Sequence, residues 1–308
     1  MNDFLAAAVQ LTSSQDPEIN FNAAEEQIDL ASRRGADLVG LPENFAFMGE
    51  DSRRLELATD LAERCSRFLV TMARRYQVVL LGGGFPAPAG DGSRTLNRAE
   101  LVDRDGQLLA RYDKIHLFDV DLPDGNTYRE SATVNAGKEL PPVVDVPGLC
   151  KVGLSICYDV RFPELYRHLV GAGADLLMIP AAFTAFTGKD HWQVLLQARA
   201  IENTAYVLAP AQTGLHYGRR HSHGHAMVID PWGTVLADAG VLPGAAIAPV
   251  NTAHQGHVRD QMPSLRHRPG VARVSGPGGT VAAGAGGLPG AAIAPGNPAH
   301  QGHVRDQM

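Results

Sequence analysis

Residues 153–165, GLSICYDVRFPEL, carry a cysteine between a short apolar run and a sequence typical of a helix start. The apolar run predicts a buried strand over residues 151–156, and Pro163 suits the first turn of a helix over residues 163–170. Cys157 is therefore expected at a strand-to-helix turn, where backbone N–H groups can stabilise a thiolate and bind an oxyanion. A buried, inert cysteine fits the same pattern, so this stretch alone leaves both roles open.

Outward from this turn, apolar runs alternate with amphipathic patterns along most of the chain. The predicted helices cover residues 23–34, 55–76, 163–170 and 191–203. The predicted strands cover residues 4–11, 36–41, 78–81, 95–102, 107–111, 143–146, 151–156, 175–179 and 206–209, with two more flanking a turn at 230–233. Turns at 103–106 and 147–148 predict antiparallel hairpins. This mixture favours an α/β fold other than a Rossmann domain or a TIM barrel.

Length and composition exclude several classes of protein. The chain has 308 residues, of which 44% are hydrophobic and 19% charged, and its formal charge is -6. These values are typical of a globular protein, and the acidic balance disfavours nucleic-acid binding. No apolar run reaches the roughly 18 residues of a membrane span, and the N-terminal sequence lacks the basic start of a secretory signal. We expect a cytoplasmic protein with no nucleic-acid or membrane partner.

Three cysteines, Cys65, Cys150 and Cys157, are present. An odd number without a C-x-x-C pair argues against a disulfide framework or a zinc ribbon and favours a reducing cytosol. Cys65 falls in a predicted helix and Cys150 in a hairpin, so we interpret both as inert core residues.

Two further patterns suggest a cofactor but are better explained otherwise. Glycines 82–84 lack the G-x-G-x-x-G spacing of a dinucleotide site, and we interpret them as close backbone packing or a turn. Residues 221–225, HSHGH, would place three imidazoles on one face of an extended strand, which could bind zinc. No acidic partner is evident in the sequence, so we predict no metal and no organic cofactor.

Charged residues at strand ends are the other candidates for chemistry. Glu43 follows the predicted strand 36–41, where partial burial would raise its pKa toward that of a general base. Lys114 follows the strand 107–111 and could hold positive charge where an oxyanion develops. Glu130 lies in a long polar loop of the kind that is often functional. A solvated loop carboxylate or an ordinary surface lysine remains an alternative for each.

Taken together, three stretches resemble the catalytic boxes of the nitrilase, or carbon–nitrogen hydrolase, superfamily. They are residues 41–43 (LPE), 112–119 (YDKIHLFD) and 153–165 (GLSICYDVRFPEL), in the family's order and at family-like separations. Further similar stretches are residues 180–184, 191–203 and 224–233. The resemblance covers roughly residues 4–268, and three independent boxes make it specific.

This resemblance implies an α-β-β-α sandwich of two mixed sheets in one domain, residues 1–269. It implies a homodimer or larger homo-oligomer in which two sandwiches stack. It also implies a Glu–Lys–Cys triad with an additional glutamate, and nearby substrate or oxyanion contacts. The corresponding residues are Glu43, Lys114, Cys157 and Glu130 for catalysis, and Tyr158, Phe183 and Thr184 for substrate or oxyanion contacts.

The match looks closest to the Nit branch, which implies cleavage of a small, carboxylate-bearing primary amide to an acid and ammonia through a cysteine thioester. Residues 211–227 lean toward the members of that branch that act on deaminated glutathione, and α-ketoglutaramate is the alternative substrate. An N-acyl transferase and a non-catalytic binding protein are the alternative functions. Arg161, Arg219 and Arg220 are candidates for binding a substrate carboxylate. We interpret Arg161 rather as an ion-pair partner of Glu164.

The C-terminal sequence has no counterpart in the family. Residues 231–262 recur as residues 277–308 with six of 32 positions changed, and each change removes bulk, charge or strand propensity. Two copies are too few for a solenoid. We therefore predict that residues 270–308 are a degenerate, disordered duplication or an artefact of the sequence, the alternative being a tail that caps or swaps with a partner subunit.

Overall fold

The structure is a computed structural model that describes residues 3–90 and 92–268. The predicted tail, residues 270–308, lies outside the described residues. The strands are β1 (Phe4–Leu11), β2 (Ala36–Gly40), β3 (Val79–Pro88), β4 (Thr95–Val102), β5 (Leu108–Asp113), β6 (Asp119–Asp121), β7 (Thr127–Arg129), β8 (Val143–Asp145), β9 (Lys151–Leu154), β10 (Leu176–Met178), β11 (Tyr206–Ala209), β12 (Ala211–Leu215), β13 (His221–His223), β14 (Met227–Ile229), β15 (Val235–Asp238) and β16 (Gly244–Val250). The helices are α1 (Pro17–Arg33), α2 (Asp51–Tyr76), α3 (Pro163–Gly171), α4 (Ala185–Asn203) and α5 (Thr252–Gln261), with 3-10 turns at Glu130–Ala132 and Cys157–Arg161.

Two mixed sheets form the centre of the molecule. The first has eight strands, ordered β13-β12-β1-β2-β3-β4-β5, with β16 antiparallel to β1. The second has six, ordered β15-β14-β11-β10-β9-β8. Each combines parallel and antiparallel pairs, such as β2 with β3 and β3 with β4 in the first sheet. The α/β class and the two mixed sheets predicted from the sequence are therefore confirmed.

The layers follow from the alternation of side chains along buried strands. In β1, Ala6 and Ala8 belong to the core cluster between the sheets, whereas Ala7 and Val9 belong to the cluster beneath α1 and α2. Since neighbouring strand residues point to opposite faces, a strand that is apolar throughout is covered on both sides. Residues of α3 and α4, such as Leu169, pack on the second sheet. The order helix, sheet, sheet, helix is that of the expected sandwich.

Several element boundaries differ from the sequence-based expectations for local reasons. Helix α4 begins at Ala185 rather than at residue 191, because the Thr184 side chain caps it by accepting from the Thr187 N–H. Strand β3 continues through glycines 82–84 to Pro88, with a register shift between Gly82 and Phe85. A Cβ at Gly83 would lie 2.0 Å from the Leu41 carbonyl oxygen, so close backbone packing is the role of this glycine.

The predicted catalytic side chains lie just after the ends of strands. Glu43 follows β2, Lys114 follows β5 and Cys157 follows β9, and the loops after these strands meet between the two sheets. In the part of the chain that the structure describes, no helix is both long and apolar enough to cross a lipid bilayer.

Candidate active site

Cys157 occupies a sharp turn between β9 and α3. Its φ is +50°, in the left-handed region that non-glycine residues rarely adopt. The Cys157 N–H donates to the Pro180 carbonyl at 2.8 Å, and the Ile156 N–H donates to the Asp159 carboxylate at 2.8 Å. These bonds hold the unusual backbone in place, and such strain often accompanies function. The side chain is 8% exposed and lines a cavity.

The three other predicted catalytic residues converge on this cysteine from separate parts of the chain. Lys114 Nζ lies 3.0 Å from Glu43 Oε1 and 2.9 Å from Glu130 Oε2. The Cys157 thiol and the Glu43 carboxylate lie close enough to act on each other's pKa, and both line the same cavity. Lys114 and Glu43 are 2% and 4% exposed, so these charges interact away from bulk water.

Mutual charge sets the protonation of the cluster. Burial alone would raise the pKa of Glu43, but Lys114 and the hydrogen bonds from Cys157, Lys114 and Asn97 hold it below its ordinary value. Burial would lower the pKa of Lys114, but Glu130 and Glu43 outweigh this and raise it. Burial, with Glu43, raises the pKa of the Cys157 thiol well above its usual range. At neutral pH the site therefore contains a carboxylate, an ammonium and a protonated thiol.

Asn97 is a member of the cluster that sequence reasoning missed. Its amide nitrogen donates to Glu43 Oε1 at 2.8 Å and to Glu130 Oε1 at 3.3 Å, so it bridges the two carboxylates. The second oxygen of Glu43 accepts from the Ala182 N–H at 2.9 Å. Asn97 is one polar residue within β4, and nothing in the local sequence distinguishes it from other polar strand residues.

A buried network fixes the turn that holds the cysteine. Asp159, fully buried, accepts from the Tyr112 hydroxyl at 2.8 Å and lies 2.7 Å from His116 Nδ1. The same carboxylate accepts from the Ile156 N–H. Tyr112 and His116 flank Lys114 in sequence, so the network ties the lysine segment to the cysteine turn. The motif residues around Lys114 and Cys157 thus have a structural use beyond the reacting groups.

A cavity of about 290 Å³ opens over the cluster. Its lining includes Tyr158, Phe183 and Thr184, the predicted substrate or oxyanion contacts, together with the four predicted catalytic residues. Tyr158 lies in the first turn of the 3-10 segment Cys157–Arg161, where a helix provides no acceptor for the backbone N–H. This N–H, with the Lys114 ammonium, is suited to a developing negative charge beside the sulfur.

The arginine candidates have different surroundings. Arg220 lines the cavity, whereas Arg161 and Arg219 are not among its lining residues. The expected ion pair between Arg161 and Glu164 is wrong, since the two side chains are not paired in the structure. Arg161 extends instead toward α4, where its guanidinium lies 3.4 Å from His191 Nδ1 and 5.1 Å from the Phe183 ring centroid.

The histidine-rich stretch does not form a single imidazole face. Strand β13 ends at His223, and positive φ angles at Gly224 (+84°) and His225 (+58°) turn the chain. His225 lies 2.9 Å from Asp238, an acidic partner that the sequence did not reveal. Within residues 3–90 and 92–268, no group of three histidine, cysteine or acidic side chains could hold a metal ion.

The sandwich and its Glu–Lys–Cys cluster define a class of protein. Residues 5–259 match the family model described as "Carbon-nitrogen hydrolase", and the chain belongs to that family. The resemblance found in the sequence is therefore confirmed.

Three proteins show how similar the chain is to particular relatives. The chain is 63% identical over 267 residues to a deaminated glutathione amidase of Synechocystis sp., covering 86% of this chain and 98% of that protein. The crystal structure of the Caenorhabditis elegans NitFhit protein superimposes with a TM-score of 0.82 at 39% identity, over 87% of this chain and 65% of the fusion. An amidase from Nesterenkonia sp. AN1 superimposes with a TM-score of 0.72 at 28% identity, over 86% of this chain and 93% of that one.

Proposed function

We propose that the protein is an amidase in which Cys157 attacks the substrate carbonyl and forms a thioester. The observation that carries the proposal is the convergence of Glu43, Lys114 and Cys157 at the base of one cavity. Two further geometric features support it. The thiol proton has an ionised acceptor in Glu43, and the reacting carbonyl oxygen has two donors, Lys114 and the Tyr158 N–H.

In the first step, Glu43 takes the thiol proton as sulfur bonds to the carbonyl carbon. The negative charge that develops on oxygen is stabilised by Lys114 and the Tyr158 N–H; losing one such donor typically costs about 2.7–4 kcal/mol. Glu43 then returns the proton to the departing nitrogen, since an amide ion is a poor leaving group. Collapse of the tetrahedral species breaks the carbon–nitrogen bond and leaves the acyl group on sulfur.

In the second step, water replaces the amine and hydrolyses the thioester. Glu43, again ionised, accepts a proton from water as its oxygen attacks, and Glu130 orients that water. The carbon–sulfur bond then breaks, the acid leaves, and Glu43 returns the proton to the Cys157 sulfur. Asn97 and Lys114 hold the two carboxylates in a fixed relation, so one cluster serves both half-reactions.

The relatives support the nucleophile and the substrate class. In a glutamate-to-glutamine mutant of the Nesterenkonia sp. AN1 amidase, the acetamide moiety of fluoroacetamide is bound covalently to the active-site cysteine. The Synechocystis sp. relative is a deaminated glutathione amidase, and we propose deaminated glutathione as the substrate here. That compound contains no primary amide, so its leaving group is the amine of cysteinylglycine. Ammonia is the leaving group for α-ketoglutaramate, the second candidate.

Arg161 is our candidate for binding the α-keto acid end of either substrate. Its guanidinium lies 5.8 Å from the Tyr158 ring centroid and 5.1 Å from that of Phe183, two residues that line the cavity although Arg161 itself does not. No carboxylate within residues 3–90 and 92–268 pairs with it.

We also propose a cytoplasmic homodimer or larger homo-oligomer built from a domain over residues 1–269. Val194 and Ile201 lie seven residues apart on α4 and are 65% and 50% exposed, which gives this outer helix an unusually apolar face. Trp232, 54% exposed, adjoins Gly233, which packs against Ile201. Sedimentation of the full chain tests whether it forms an oligomer. Sedimentation of a chain ending at Arg268 tests whether the domain assembles without the residues that follow.

The mechanism is tested by assaying α-ketoglutarate release from deaminated glutathione and α-ketoglutaramate with wild type and Cys157→Ala. We expect turnover only with the wild type. Full activity of the variant, with its circular dichroism unchanged, would overturn the proposed mechanism.

A further inference from the structure

The rim of the cavity carries two arginines that the proposed reaction does not use. Arg54 comes from α2 and Arg220 from the loop between β12 and β13, and both line the cavity that contains Cys157. The Arg220 guanidinium lies 4.5 Å from the Tyr128 ring centroid, and Tyr217 lines the same rim. Stacking on an aromatic ring holds a guanidinium in a fixed plane while leaving its N–H edge available.

Neither guanidinium has a carboxylate partner within residues 3–90 and 92–268. Arg54 donates to the Asn44 side-chain oxygen at 3.0 Å, but its buried Nε has no hydrogen-bond partner. Arg220 makes only a long contact, 3.5 Å, with the Ala182 carbonyl oxygen. A buried donor without an acceptor is costly, and an anion between the two side chains would supply acceptors to both.

Other charged residues at this rim leave it positive. Arg129 is already paired with Asp121 at 2.7 Å, so it contributes little net charge. Among the described residues that line the cavity outside the catalytic cluster, Asp51 is the one acidic residue. Burial raises the pKa of Tyr217, and Arg220, Asp51 and Arg54 all act on it, which places these charges within electrostatic reach of one another. Two cations against one carboxylate favour an anionic ligand.

We propose that Arg220 and Arg54 bind a carboxylate on the leaving-group side of the substrate. Within the proposed function, these two arginines would then favour deaminated glutathione, whose leaving group has a free carboxyl end, over α-ketoglutaramate, which releases ammonia. The inference rests on the proposed function and adds a second anion position, apart from Arg161, whose neighbours are Tyr158, Phe183 and His191.

Two substrates with the same acyl group test this assignment. Deaminated glutathione and α-ketoglutaramate both give α-ketoglutarate, but only the first has a leaving group with a carboxylate. We expect Arg220→Gln to raise KM for deaminated glutathione at least ten times more than KM for α-ketoglutaramate, with a smaller change in kcat. Arg219→Gln, an exposed neighbour outside the cavity, is the matched control and should show no such difference.

A third substrate tests whether Arg220 interacts with the glycine carboxyl itself. Converting the glycine carboxyl of deaminated glutathione to an amide should raise the wild-type KM as much as Arg220→Gln does, with little further change when both are combined. Equal KM changes for all substrates, or additive effects, would overturn the assignment. If the wild type hydrolysed neither substrate, the proposed function would fail. The role of Arg220 would then be tested by binding alone, by measuring with calorimetry the affinity of Cys157→Ala for deaminated glutathione, with and without Arg220→Gln. Weaker binding by the double variant would support the assignment, and equal binding would refute it.

Discussion

Cys65 and Cys157 are both buried, and each lies near a carboxylate. Burial, with Glu100 in one case and Glu43 in the other, raises the pKa of both thiols. Cys65 is fully buried in the middle of α2, in the cluster under the first sheet. Cys157 lies at a turn, lines a cavity and faces Lys114. Burial beside a carboxylate therefore does not make a nucleophile. Access for a substrate and a buried cation, Lys114 rather than the partly exposed Arg64 near Cys65, distinguish the two positions.

The largest expected effect on kcat comes from replacing Cys157 by alanine, with the same substitution at Cys65 as the matched control. Cys157→Ala should lower kcat by about 10³-fold or more, because no other group can form the thioester. Cys65→Ala should keep kcat within a factor of two while costing about 1 kcal/mol of unfolding free energy, since it leaves a small cavity in the core. Steady-state assays and urea unfolding measure the two effects. The comparison fails if the Cys65 variant is the inactive one.

Lys114, the buried cation beside Cys157, is the second difference between the surroundings of the two cysteines. Lys114→Gln should lower kcat about 10²- to 10³-fold, because the oxyanion loses a buried cation. It should also destabilise the fold, since Glu43 and Glu130 then face each other without the ammonium between them. Lys151→Gln is the control: this exposed lysine adjoins Cys150, whose pKa burial raises to about 12. Similar kinetic losses in both variants would argue against a catalytic lysine.

The pH dependence of stability and of kcat/KM tests the role of Glu43, the carboxylate beside Cys157. Its pKa in the folded protein lies below the ordinary value of 4.5, so the unfolded chain binds more protons as pH falls through this range. Glu43 thus stabilises the fold above about pH 4.5, and this contribution is lost as pH falls through the folded pKa. The acid limb of kcat/KM should accordingly lie below pH 4.5. An acid limb near pH 6 would exclude Glu43 as the general base.

The smallest effect is expected at Asn97, a positioning residue. Asn97→Leu removes the bridge between Glu43 and Glu130 and one of the bonds that lower the pKa of Glu43. We expect about a ten-fold loss of kcat and an acid limb moved to higher pH. A purely structural role would lower stability without moving the limb. Thr95→Ser, at another buried polar position of β4, is the control.

Local pattern sufficed for the α/β class and for the segments that bear the chemistry, whereas the order of the layers followed from the family resemblance. β1 was predicted with its observed bounds, because eight apolar-rich residues end at polar ones. Glu43, Lys114 and Cys157 were found because each follows a buried strand within a recognisable motif. Their convergence followed only from the family resemblance, since residues 71 positions apart in sequence meet through the sheet topology.

Other features depend on contacts that no local pattern encodes. Asn97 bonds Glu43 across 54 positions, and the Ala182 N–H bonds it across 139. The start of α4 was misplaced by six residues, because the cap at Thr184 precedes the amphipathic part of the helix. Arg161 was assigned to its near neighbour Glu164, although stacking on Phe183 directs the side chain toward His191.

The most direct test is to find which sulfur becomes acylated during turnover. Full-length protein is mixed with deaminated glutathione, quenched in acid within the first turnovers, and digested for mass spectrometry. The account predicts an α-ketoglutaryl group on Cys157 that is absent from Cys65 and Cys150 and does not form in Cys157→Ala. Acylation of either other cysteine, or turnover with no acyl group on any of the three, would contradict it.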